Sequence, residues 1–241
     1  MKHVFNLRLS ALALVAGSLL TVQAHAADAL TDAMQAAYAP YRVALFKTNG
    51  ESQEESQQAI KQAQTAWAKL SEQFATKPPA PYDRDTALAA SLTDVSKVYA
   101  KASDQVNAKQ LTAAHETLEA ARDIMAAVRH RNNVVVFSDH MNAYHSEMET
   151  LLIEGPKILT KAHGIHLLSA QAGVLAYLSK RLTSEAPAQL NGNAEFRKLV
   201  IAVDLSIAAL QAALLADNID AVKDAMSKVK KPYSQLFLKF G

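Results

Sequence analysis

Apolar residues recur along this chain at three- and four-residue intervals, the spacing that lines one face of an α-helix. The stretch that starts at Leu111 shows it well: Leu111, Ala114, Leu118, Ala121, Met125 and Val128, with polar residues between. The pattern predicts helices at roughly 29–47, 52–76, 85–107 and 109–130, then at 137–153, 157–183, 193–216 and 218–237. Asn49-Gly50 and Gly155-Pro156 are predicted to turn the first helix of each set into the second, with Pro156 suited to a helix's first position. Lys77 to Pro81 and Pro187 to Gly192 are predicted to make the longer crossings. Thr31 and Ser138 are expected N-caps, each followed by an acid in the first turn. Between the two sets, the β-branched run Val134-Val135-Val136 is the one place where an extended segment is expected.

The two sets resemble each other. Moved by about 108 residues, the Leu111 stripe falls on Ile219, Val222, Met226, Val229, Tyr233 and Leu236. Val95, Tyr99, Ala102 and Val106 fall on Val203, Ile207, Leu210 and Leu214. Trp67, Leu70 and Phe74 fall on Leu175, Leu178 and Leu182, and Pro79 falls on Pro187. One residue less in the shift aligns Met34 with Met141 and Tyr38 with His145. Segments that keep one order at nearly one shift imply a duplication. The fold expected is therefore all-α, as two tandem four-helix, up-down bundle-like repeats: lobe 1 over 27–130, a linker at 131–136, and lobe 2 over 137–241.

Composition agrees with helix, since the 241 residues include only 7 glycines and 7 prolines. Residues 1–26 read differently. A basic start (Lys2, Arg8), an apolar stretch from Leu9 to Val22, and Ala24-His25-Ala26 have the layout of a secretory signal peptide. The expected destination is periplasmic or secreted. That stretch is short for a membrane span, and no later segment is read as apolar all round for long enough, so no stable membrane insertion is expected. Residues 1–26 hold two of the 25 Lys+Arg and none of the 23 Asp+Glu, so cations and anions balance at 23 each beyond them. A neutral balance removes the composition-level case for nucleic acid. The absence of cysteine excludes disulfides, thiolate metal sites and a cysteine nucleophile.

The closing stretch, from Ala216-Asp217-Asn218-Ile219 to Lys231-Pro232-Tyr233-Ser234-Gln235-Leu236-Phe237, resembles the final hairpin of the cytochrome c-prime family of exported four-helix bundles. The resemblance implies a bundle topology. The cysteines and histidine of that family's heme-attachment motif are absent, so no covalent heme is implied.

No phosphate loop, zinc-protease motif or serine elbow occurs, which leaves the histidines as candidate chemistry. Four of them fall between His140 and His166. His140 and His145 lie five residues apart, about 140° around a helix, and cannot chelate one ion together. If Gly155-Pro156 closes an antiparallel hairpin, His145 comes opposite His166, with Glu149 near His163. His140, His145, Glu149, His163 and His166 are thus the candidate metal ligands, a set suited to copper, zinc or iron. Met141 and Met148 would add soft thioether character that favours cuprous copper. The bland reading is that Met141 is core like Met34, and that His145 is a boundary residue like Tyr38. His115 with Glu119 forms another i, i+4 pair, read as surface because His115 aligns with Lys223. The function expected is non-enzymatic metal binding through lobe 2. The alternatives are a partner-binding helical module with structural histidines, and non-covalent heme binding in the bundle.

Overall fold

The computed structural model describes residues 28–50 and 52–241; the leader expected at residues 1–26 lies outside them. The described chain is all-α, with no strand. The first half contributes α1 (Ala29–Thr48), α2 (Gln53–Phe74), α3 (Leu88–Asn107) and α4 (Leu111–Arg131). The second contributes α5 (Phe137–Ile158), α6 (Gly164–Ser184), the single turn α7 (Ala188–Asn191), α8 (Ala194–Leu215), α9 (Ile219–Lys228) and α10 (Lys230–Phe240). In each half the long helices pack on their neighbours in sequence, α6 meeting α8 past the short α7, and the last closes back on the first.

The predicted stripes are largely the buried faces, although Ile219 is exposed and Leu111 and Leu178 are half-buried. Val95, Tyr99, Ala102 and Val106 are buried on α3, and Val203, Ile207, Leu210 and Leu214 on α8. Trp67 and Leu175 are buried at matching places in α2 and α6. The halves are also joined, because their buried side chains form one connected cluster. The Tyr38 ring meets Phe237 edge-on at 6.3 Å, and α1 packs against α10. At the junction, the guanidinium of Arg129 in the last turn of α4 grips both carboxylate oxygens of Asp139 in the first turn of α5. Val134 to Val136 is the expected non-helical link.

Several boundaries differ from expectation, each for a local reason. Asp28, not Thr31, caps α1: its carboxylate accepts from the Thr31 N–H and hydroxyl, both at 2.7 Å. Ser138 lies inside α5, where Asp139 accepts the Val136 N–H at 3.0 Å instead. α4 runs on through Arg129, His130 and Arg131, one residue into the expected 131–136 linker. Gly155 and Pro156 do not turn the chain; they sit inside the last turn of α5, and the reversal falls at Leu159 to His163. Pro156 deprives only the Leu152 carbonyl of its helical N–H, two residues before α5 ends, and Gly155 is buried where α9 approaches. The final helix, expected as one, divides at Val229 because Pro232 has no N–H for the Lys228 carbonyl four residues back. Among the described residues α8 is long and apolar enough to cross a membrane by length and composition, with mean hydropathy 1.9. That corrects the expectation that no such segment follows the leader. One face of α8, from Phe196 to Leu214, is core of the bundle.

Candidate functional site

Of the candidate ligands, His145 occupies the most constructed place. It projects from the flank of α5 towards α4, and its Nε2 lies 3.3 Å from Oε1 of Glu119. A carboxylate oxygen accepts, so His145 Nε2 carries the proton and donates. The imidazole also leans over the Tyr233 ring at 5.6 Å, and Tyr233 is fixed by its hydroxyl donating to the Met141 carbonyl at 3.0 Å. His145 is thus held by α4 on one side and α10 on the other.

One turn back on α4, His115 approaches the same carboxylate oxygen, with Nε2 at 3.9 Å. Its orientation follows from how α1 ends. At the Asn49-Gly50 turn the Asn49 N–H bonds Lys47 rather than Leu45, so the Leu45 carbonyl lacks its helical N–H and is approached by the Thr48 hydroxyl at 3.0 Å. That carbonyl takes the His115 Nδ1–H at 2.9 Å. Burial pushes the His115 pKa below its ordinary value, so the ring is neutral at pH 7 and the Nε2 lone pair faces Glu119. Two acceptors therefore face each other across the site. The hydrogen bond from His145 is the largest influence holding the Glu119 carboxyl below the usual range; burial opposes it, and Arg122 at 3.7 Å reinforces it. Glu149, one turn beyond His145, pairs with Lys230 at 3.2 Å. His115, His145 and Lys230 border a small cleft of about 40 Å³ between the halves, lined also by Phe46, Tyr233 and Phe237. A second depression on the far side of His145 is lined by Glu119, Arg122 and Glu149.

The other predicted ligands lie elsewhere. His163 and His166 are exposed at the α5–α6 reversal, rings 5.9 Å apart, with His163 in the left-handed region at φ 62°. His140 is on the opposite flank of α5, its Nε2 4.0 Å from Glu185. The pairing of His145 with His166 fails because it assumed a reversal at Gly155-Pro156. Moving the reversal to Leu159–His163 slides the helices by roughly 11 residues, about 16 Å at 1.5 Å per residue, and brings Tyr177 rather than His166 level with His145. His115, expected at the surface, has a side chain only 20% exposed, against 61% for its counterpart Lys223. Its i, i+4 relation to Glu119 was the available signal. Nothing in the sequence tied that pair to His145. As they stand, no three His, Asp or Glu side chains among the described residues close on a single metal-sized point.

Compared with known proteins, the chain matches no family model, no curated protein and no solved structure.

Proposed function

We propose that this is an exported, non-enzymatic helical protein that binds a transition-metal ion, and that the ion is taken by His145, Glu119 and His115 at the seam between the halves. The observation that carries the reading is the His115 ring. Its Nδ1–H is committed to the Leu45 carbonyl, which leaves the neutral Nε2 lone pair aimed at a carboxylate rather than at a donor. A backbone carbonyl on one imidazole nitrogen and a free lone pair on the other is the usual arrangement of a ligating histidine. Ligands at about 2.0–2.2 Å from a tetrahedral ion stand about 3.2–3.6 Å from one another. The His145–Glu119 separation of 3.3 Å falls in that range, and the His115–Glu119 separation of 3.9 Å needs a small side-chain rotation. Binding replaces the His145 proton by the ion. Relative to the set expected from sequence, the reading keeps His145, adds His115 and Glu119, and leaves out His140, His163 and His166. Glu149 is occupied by Lys230 and borders the site.

Calorimetric titration of the purified protein with zinc and with cupric ions tests it. The expected result is one ion per chain, weakened tenfold or more by His145→Ala, His115→Ala and Glu119→Gln, and unchanged by His166→Ala. Binding that survives both His145→Ala and His115→Ala within twofold, or no binding by the wild type, overturns the proposal.

A further inference from the structure

The outward face of the second half differs from that of the first in one respect that packing within the chain does not require. Five of the outward positions on α3 are Thr93, Lys97, Lys101, Asp104 and Asn107. The equivalent positions on α8, each 108 residues later, are Ile201, Leu205, Ala209, Ala212 and Leu215, and all of them are exposed. The inward faces of the two helices are apolar alike, so the change is confined to the surface. The neighbouring helix shows the same shift, with Gln62 and Lys69 on α2 facing outward where α6 has Ala170 and Tyr177. The hydrogen bond from Ser179 Oγ to Asp204 Oδ1, 2.5 Å long, sets the register of the antiparallel α6–α8 pair and puts Tyr177 level with Leu205. The exposed apolar residues therefore adjoin in one patch.

We infer that this α6–α8 face is the interface of a homodimer, and that its occupant is the same face of a second copy. Two observations favour a second copy. The first is charge. From Gly164 to Ser179 there is no Lys, Arg, Asp or Glu, and from Leu199 to Ala216 there is only Asp204, already bonded to Ser179. A face without charge gives no handle to an acidic or basic partner and meets no like-charge repulsion when set against itself. The second is area. Tyr177, Ile201, Leu205 and Leu215 are 60, 56, 64 and 88% exposed, and Leu167 and Val174 about half. At about 100 Å² each these side chains offer roughly 600 Å² before the alanines are added, close to the ~800 Å² per partner of a stable interface. Ala208, Ala209 and Ala212 also keep the centre of α8 low enough for helices to pack closely.

Sedimentation equilibrium of the whole protein tests the inference, together with flotation on neutral phosphatidylcholine vesicles. The expected result is a mass twice that of the chain at micromolar concentration. Leu205→Arg should shift it to monomer with at least a hundredfold weaker association, at unchanged helical circular dichroism. Lys97→Glu, at the equivalent place on α3, should leave the dimer intact. Wild-type protein that stays monomeric near millimolar concentration overturns the inference. So does a dimer indifferent to Leu205→Arg and Tyr177→Arg, or vesicle binding that Leu205→Arg abolishes while the free protein is monomeric. The metal titration reads separate residues, so either proposal can fail alone.

Discussion

Arg129 and Asp139 form a buried ion pair across the junction of the two halves, with side chains only 3 and 6% exposed. The guanidinium fork meets both carboxylate oxygens, and Asp139 also accepts the Val136 N–H, so one carboxylate fixes both the end of α4 and the start of α5. Removing one member of such a pair leaves a charge buried without compensation. Arg129→Met and Asp139→Asn should each destabilise the protein by about 3–5 kcal/mol in urea unfolding, and the double variant by less than the sum of the two. Strict additivity would show that the pair is not coupled.

Buried tyrosines give a contrasting pair. The Tyr233 hydroxyl donates to the Met141 carbonyl, whereas the Tyr99 hydroxyl, packed edge-on to Trp67 at 6.3 Å, has no protein partner. Tyr233→Phe should therefore cost about 1 kcal/mol, and Tyr99→Phe should be neutral or stabilising by up to about 1 kcal/mol. Thermal unfolding of the two variants side by side checks the sign. Equal losses would mean that Tyr99 is hydrogen-bonded.

The helices were legible because a stripe of period 3.6 both marks a helix and names its buried face; Val95 to Val106 and Val203 to Leu214 are core for that reason. What failed was local punctuation read without its tertiary setting. Gly155-Pro156 has the composition of a turn, yet its glycine serves the approach of α9, whose residues lie more than 60 positions away. Pro232 broke a helix through which the stripe Val229, Tyr233 and Leu236 runs unbroken, because a side-chain pattern does not report a missing backbone donor.

The site was half legible for a related reason. Helical angles separated His140 from His145 and paired His115 with Glu119, since those relations lie within one helix. The meeting of His145 with Glu119 depends on how α4 stands against α5 across the junction, which no spacing within a helix encodes.

Gly155 carries the next expectation. A Cβ placed on it would stand 2.7 Å from Met226 Sδ, with the Leu168 side chain 3.6 Å away. Alanine gains about 1 kcal/mol of helix propensity over glycine, while overpacking a core costs about 1–3 kcal/mol, so Gly155→Ala should be net destabilising. Adding Met226→Ala should make alanine at 155 favourable. A double-mutant cycle in urea measures the coupling, and a value near zero would mean that Met226 simply swings aside.

His140 sets a pH dependence. Burial lowers its pKa below the ordinary histidine value; Arg181 acts in the same direction, while Glu185 and Asp139 oppose them. In the unfolded chain the group takes up its proton near pH 6.5, and in the folded chain only at lower pH. Between those two values the unfolded state binds more protons, so stability rises with pH through the window and is lost as pH falls from about 6.5 towards the folded value. His115, lowered chiefly by burial, contributes with the same sign. Urea midpoints taken between pH 7.5 and 5 should therefore fall with acidification, and less steeply in His140→Gln than in the wild type. A His140→Gln variant whose midpoint runs parallel to the wild type across that range would show that the native imidazole titrates as it does in the unfolded chain.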